Sequence, residues 1–184
     1  MTAPTCLLVF ASTHGHVRRI AEAVADRLRG AGVVVDVRDV EDAPASTAGY
    51  DLVVLGGSIH AERHQAPLVA WMRRHAEGLA GRRVALFSVS LAALDPTPDG
   101  RAKVGGWVDA LLEATGVRPD ARACIAGALP YRDYALPTRW LMRRIARKQG
   151  LPTDTSRNHD LTDWAAVQRF ADEAAALVAV RTPA

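Results

Sequence analysis

Ser12, Thr13, His14, Gly15 and His16 are the first residues of the chain whose types and spacing could do chemistry. They follow an apolar run, Leu7-Leu8-Val9-Phe10, and a helical pattern begins directly behind them at Val17. The first backbone N–H groups of a helix lack partners and sit at the positive end of its dipole, so this order makes a site for a phosphate. Ser12 and Thr13 add hydroxyl donors, and Gly15 lets the backbone pass close to an anion. The same residues also make an ordinary capped turn between a strand and a helix, and the motif alone leaves both readings open. Two more stretches of small and hydroxyl residues end apolar runs, Ser58 to His64 and Ser88 to Leu94.

Such loops need elements that bring them to one edge. Residues 7–10, 51–58 and 83–90 are continuously apolar or nearly so, as strands buried on both faces are. Residues 33–40 alternate toward their end and fit a strand nearer the sheet edge, and residues 122–127 form a fifth strand. Between them, Val17, Ile20, Ala21, Val24 and Leu28 share one helical face, with Arg18, Arg19, Glu22, Asp26 and Arg29 on the other. Further helices are predicted from Pro67 to Leu79, over 102–115 and 138–149, and behind a Thr162 cap. Trp71, Trp107 and Trp164 fall at core spacing, His75 reads as structural, and Asp154, Asp160 and Asp163 read as caps. Strands alternating with helices predict a five-stranded, doubly wound parallel sheet in a single domain, 1–184. Ligands in such sheets bind outside the strand C-termini, where the three loops converge. Residues 128–160 interrupt the pattern as an insert after or within the fifth strand.

Composition bounds the rest. The chain is 49% hydrophobic and 23% charged, with net charge +3. The basic balance favours acidic partners, but no basic-aromatic pattern points to nucleic acid. Cys6 and Cys124 both lie in strand-like runs and read as buried thiols rather than a disulfide. Nothing resembling a signal peptide precedes the first apolar run, and no run approaches a transmembrane length, so a cytoplasmic protein is expected. No His, Cys and carboxylate spacing makes a metal site. Ser88 and Ser90 lack a G-x-S-x-G context, which argues against a hydrolase.

The insert carries Arg139, Arg143, Arg144, Arg147 and Lys148, with no acidic residue between Asp133 and Asp154. Leu136, Trp140, Leu141 and Ile145 form an apolar strip among the arginines. This suits an anionic membrane surface met peripherally, or a substrate bearing carboxylates, and equally a solvated basic helix.

Phe-Ala-Ser-Thr-His-Gly-His-Val at 10–17, Gly-Gly-Ser-Ile at 56–59 and Ser-Val-Ser-Leu at 88–91 resemble the flavodoxin-like family. The family resemblance implies strand order 2-1-3-4-5 and bound FMN. It places Ser12, Thr13, His14, Gly15, His16 and Val17 on the phosphate. Ser58, Ile59, His60, Val89, Ser90, Leu91 and Ala92 would hold the ring. His14 and Val17 stand where the family pattern usually has threonine, which leaves backbone N–H groups and the His14 imidazole to replace two hydroxyls. Gly-Gly-Ser-Ile-His, Phe-Ser-Val-Ser-Leu, Ile-Ala-Gly-Ala-Leu-Pro-Tyr, and Thr-Asp-Thr at 153–155 with Thr-Asp-Trp at 162–164 are similar to the quinone-dependent protoporphyrinogen IX dehydrogenases. That branch implies an inserted segment here, a porphyrinogen substrate, a quinone acceptor and a role in haem biosynthesis. His60 and His64 then stand as candidates for proton transfer or for stabilising reduced flavin, against a plain surface role. Tyr131, Arg139, Arg143, Arg144 and Arg147 are expected at a substrate or membrane contact, and Tyr131 or Tyr134 could reach over the flavin. The ring-facing loops offer no aromatic residue, which favours an enzyme over the alternative, an electron-transfer flavodoxin. A third reading is a binding module without FMN; a homo-oligomer stays open.

Overall fold

The computed structural model describes residues 2–179 of the chain. The main sheet has β1 (Thr5–Ala11), β2 (Val34–Asp39), β3 (Leu52–His60), β5 (Arg83–Ser90) and β6 (Ala121–Ala126), with the two-residue β4 (Arg63–His64) on β3. The parallel order is β2-β1-β3-β5-β6, the order 2-1-3-4-5 once the short β4 is set aside. Leu8 lies opposite both Val37 and Val54, and Leu55 opposite Leu86.

The apolar runs become strands because both faces of the sheet are covered. Along β1, Cys6, Leu8 and Phe10 enter one core while Leu7, Val9 and Ala11 enter the other, as side chains alternate across a strand. Helices α1 (His16–Gly30) and α6 (Trp164–Ala179) close the first core. Helices α2 (Ala66–Arg74), α3 (Ala76–Ala80) and α4 (Pro98–Thr115) close the second. All five predicted α1 face residues are buried. Gly56 is needed on β3 because a Cβ there would lie 2.1 Å from Cζ of Phe87.

Several local expectations are corrected. The helix predicted from Pro67 to Leu79 breaks at His75, whose Nδ1 meets Trp71 O at 2.8 Å and Nε2 meets Ala45 O at 3.2 Å. His75 is structural, stacked on Trp71 at 4.1 Å. Helix α4 starts at Pro98 rather than 102, because Thr97 Oγ1 accepts from Gly100 N. Asp163, not Thr162, caps α6, with Oδ1 accepting from Ala166 N at 3.0 Å. Of the three tryptophans expected in the core only Trp71 is buried; Trp107 and Trp164 are half-buried under Lys103 and Arg19, with Trp164 at the margin of the first core. Cys124 is exposed, since β6 is an edge strand whose outer positions alternate, whereas burial pushes the Cys6 thiol up to about 12.

The insert follows the fifth sheet strand and does not interrupt it. Its ends pair antiparallel as β7 (Ala128–Leu129) and β8 (His159–Asp160). Between them a short 3₁₀ turn, Tyr131–Asp133, leads to α5 (Leu136–Lys148). Leu129, Tyr131 and Ala146 form a small core there, with Leu91, Tyr134, Met142, Leu151 and Leu161 packed against it.

Candidate functional site

The three small-residue loops meet at the C-terminal edge of the sheet and are joined by side chains. Gln65 Nε2 donates to Thr13 Oγ1 at 2.8 Å, and Gln65 Oε1 accepts from Ser58 N at 3.2 Å. One amide thus ties the first loop to the second. His64 Nε2 lies 2.7 Å from Ser88 Oγ and ties the second to the third. The second loop is not irregular as expected. β3 runs on through Ser58, Ile59 and His60 and turns back as β4, with Ile59 opposite His64. Ala61 and Glu62 make that turn in left-handed conformation, at φ 47° and 67°.

The first loop has the features of an anion cradle. Gly15 is the N-cap of α1 at φ 77°, no side chain caps the helix, and its first turn holds no acidic residue. The free N–H groups there are left for a ligand. Ser12 Oγ and Ser90 Oγ are buried with no hydrogen-bond partner, an arrangement that is costly unless something fills it. One such hydroxyl on each of two converging loops is thus left to bond a polar ligand.

The expected cradle residues divide by what they can offer. Thr13 and His14 are exposed. His16 is half-buried, with Nε2 2.8 Å from Thr162 Oγ1 and 3.9 Å from Asp160. Burial holds its imidazole below the usual range, so its backbone N–H is what remains for an anion. Val17 and Val89 have core side chains and contribute only backbone. Ser58, Ile59 and Ser90 are buried, and Leu91 and Ala92 are half-buried in a 3₁₀ turn. His60 is exposed, its Nε2 2.9 Å from Ser58 Oγ, and desolvation followed by the His14 charge lowers its pKa.

Among the insert residues, Tyr131 is corrected. It is fully buried and its hydroxyl donates to Pro152 O at 2.8 Å, so it meets neither substrate nor membrane. Tyr134 reaches the site instead, edge-on to His14 with ring centroids 5.5 Å apart. Arg139 is half-buried and donates from Nη2 to Arg132 O and Tyr134 O, which closes the turn into α5. Arg143, Arg144 and Arg147 stand on the outer surface. Gln65 carries contacts no motif signalled, and Thr162 bonds His16 rather than capping a helix, because each acts through a partner far away in sequence.

His64 makes a measurable prediction. Burial lowers its pKa from 6.5 to about 4. Its neutral form is thus retained in the fold while the unfolded chain takes up a proton near 6.5. Above that pH there is no contribution; as pH falls from 6.5 to 4 the fold loses up to about 3 kcal/mol. Replacing His64→Gln should flatten that segment of the urea-unfolding free energy against pH. An identical slope in both proteins would show that His64 is not the titrating group.

A Flavodoxin domain model matches residues 7–156. The chain belongs to the flavodoxin family. Its sheet order and overall shape agree with oxidised Flavodoxin 1 from Bacillus cereus, at TM-score 0.54 and 17% identity over 96% of this chain and 98% of that one. It is similar at higher identity to proteins named protoporphyrinogen IX dehydrogenase [quinone]. The Escherichia coli K12 protein is 33% identical over 175 residues, 93% of this chain and 94% of the other. The Leishmania major protein is 33% identical over 179 residues, 95% of this chain and 76% of the other. These relatives are oxidoreductases by name, and their similarity runs beyond the flavodoxin-domain match into the last helix. Within this family the cradle, the paired serines and the bridging Gln65 fall where the parallel sheet focuses a ligand.

Proposed function

We propose that the chain is an FMN-dependent oxidoreductase that converts protoporphyrinogen IX to protoporphyrin IX and passes the electrons to a quinone. The observation that carries this reading is the 33% identity along nearly the full length of both this chain and the Escherichia coli relative. The cradle supports the cofactor: Gly15, the α1 N-terminus and Ser12 fit a phosphate, and Ser90 fits a polar edge of the ring. FMN supplies two-electron transfer when bound, and the protein's part is to bind, orient and exclude.

In this reading Thr13 is oriented by Gln65, and His14 offers its imidazole to the phosphate beside Tyr134. His60 and Ser58 hold an exchangeable proton at Nε2 or Oγ next to the ring loops. His64 stays neutral and fixes Ser88. Six electrons and six protons leave each porphyrinogen, and three quinones become three quinols. A lipid-soluble acceptor would be met at a membrane surface, and in this reading the protein works in the cytoplasm at its inner face.

Anaerobic mixing of holoprotein, protoporphyrinogen IX and menadione should raise porphyrin fluorescence well above the protein-free rate. Fluorescence at the protein-free rate, with FMN bound, would overturn the substrate assignment and favour an electron carrier. Purified protein that neither contains nor takes up FMN would overturn the flavin reading itself.

A further inference from the structure

Among the described residues, four large apolar side chains stand exposed, and three of them, Leu136, Trp140 and Leu141, lie on α5 at 76%, 64% and 50% exposure. Arg143, Arg144, Arg147 and Lys148 continue the same helix, and none of them joins an ion pair among the described residues. Met142 and Ala146 face the insert core, and Ile145 is half-buried rather than part of the outer strip. The outer face therefore has an apolar first half and a cationic second half. Trp140 lines a shallow groove of about 270 Å³ with Arg143, Arg144 and Arg147.

We propose that this face of α5 docks on an anionic phospholipid bilayer. Leu136, Trp140 and Leu141 enter the acyl boundary, and Arg143, Arg144, Arg147 and Lys148 meet headgroup phosphates. Both halves of the helix are then satisfied, as in helices that lie in the membrane interface. A second copy is the wrong occupant, because it would set the same uncompensated cations against each other. Nucleic acid would take the arginines but leave the apolar trio in water. Among the described residues no helix is long and apolar enough to cross a membrane, so contact is confined to the surface. The face adjoins the ligand site: Leu136 is two residues beyond Tyr134, which touches His14. The proposed quinone chemistry gives this surface a use, but its test is read without turnover.

The holoprotein is sedimented with phosphatidylcholine vesicles and with vesicles containing phosphatidylglycerol. Binding should need the anionic lipid and weaken in high salt. The triple variant R143S/R144S/R147S should bind about a hundredfold more weakly, at roughly fivefold for each cation. The variant L136S/W140S/L141S should lose binding even at low salt, with thermal unfolding unchanged because all three side chains are exposed. Absent binding, equal binding to neutral vesicles, or binding unaffected by either variant would overturn the proposal. So would an arginine variant with a raised KM for porphyrinogen and unchanged vesicle binding, which assigns the cations to substrate carboxylates. Normal vesicle binding without porphyrinogen turnover would overturn the proposed function and leave the docking surface intact.

Discussion

Replacing Gly15→Val is expected to lower FMN affinity by about a hundredfold. Gly15 holds φ 77° at the head of α1, a conformation that costs a β-branched residue about 2–3 kcal/mol. A Cβ there would meet nothing within 4 Å, so the cost is backbone strain and not a clash. The apoprotein can relieve that strain by moving the loop. A bound phosphate needs the N–H groups where they are, so the relief is lost on binding and appears in the dissociation constant. Gly32 supplies the control. It holds φ 85° beyond the other end of α1, also with open space around it. Its substitution to valine should lower thermal stability and leave FMN affinity unchanged. Titration of apoprotein followed by flavin fluorescence quenching measures both. Equal losses of affinity at the two glycines would mean that Gly15 acts through stability alone.

The contrast between these glycines also shows what the sequence could reveal. The cradle is made of backbone, and backbone was legible. An apolar run, a hydroxyl turn and the spacing of Val17, Ile20, Ala21, Val24 and Leu28 fixed the strand, the loop and the helix that the structure contains. Strand order followed from resemblance and agrees with the sheet. What was not legible depends on partners distant in the chain. The hairpin after Ser58 is hidden because Ala61 and Glu62 take left-handed positions without glycine or asparagine to signal them. Gln65 became part of the site only when folding placed Thr13 and Ser58 on either side of its amide. Trp107 and Trp164 kept core spacing, yet Lys103 and Arg19 cover them from the solvent side. Cys124 lies in an apolar run on the strand that ends the sheet, where Arg122 and Cys124 are exposed while Ile125 and Ala126 stay buried.

The burial of Tyr131 is hidden in the sequence for a related reason, and its substitution carries the largest expected structural effect. A tyrosine flanked by Pro130 and Arg132 looks like a surface residue, but its hydroxyl finds Pro152 O 21 residues away and the ring is completely buried. Truncating a buried aromatic residue costs about 3–5 kcal/mol. The insert core has only Leu129 and Ala146 fully buried beside it, too little apolar area to absorb that loss. Tyr131→Ala should therefore unfold residues 128–160 locally while the two cores of the main sheet, which contain none of these residues, keep their protection. Hydrogen exchange read peptide by peptide tests this. Fast exchange in 128–160 with slow exchange in β1, β3 and β5 is the expected pattern. Release of the insert also removes Tyr134 from His14 and Asp160 from His16, so FMN affinity should fall in the same variant. Tyr131→Phe keeps the ring, leaves Pro152 O without its donor, and should cost only about 1 kcal/mol. Unchanged exchange in 128–160, or cooperative loss across the whole sheet, would show that the insert is not a separate unit of stability.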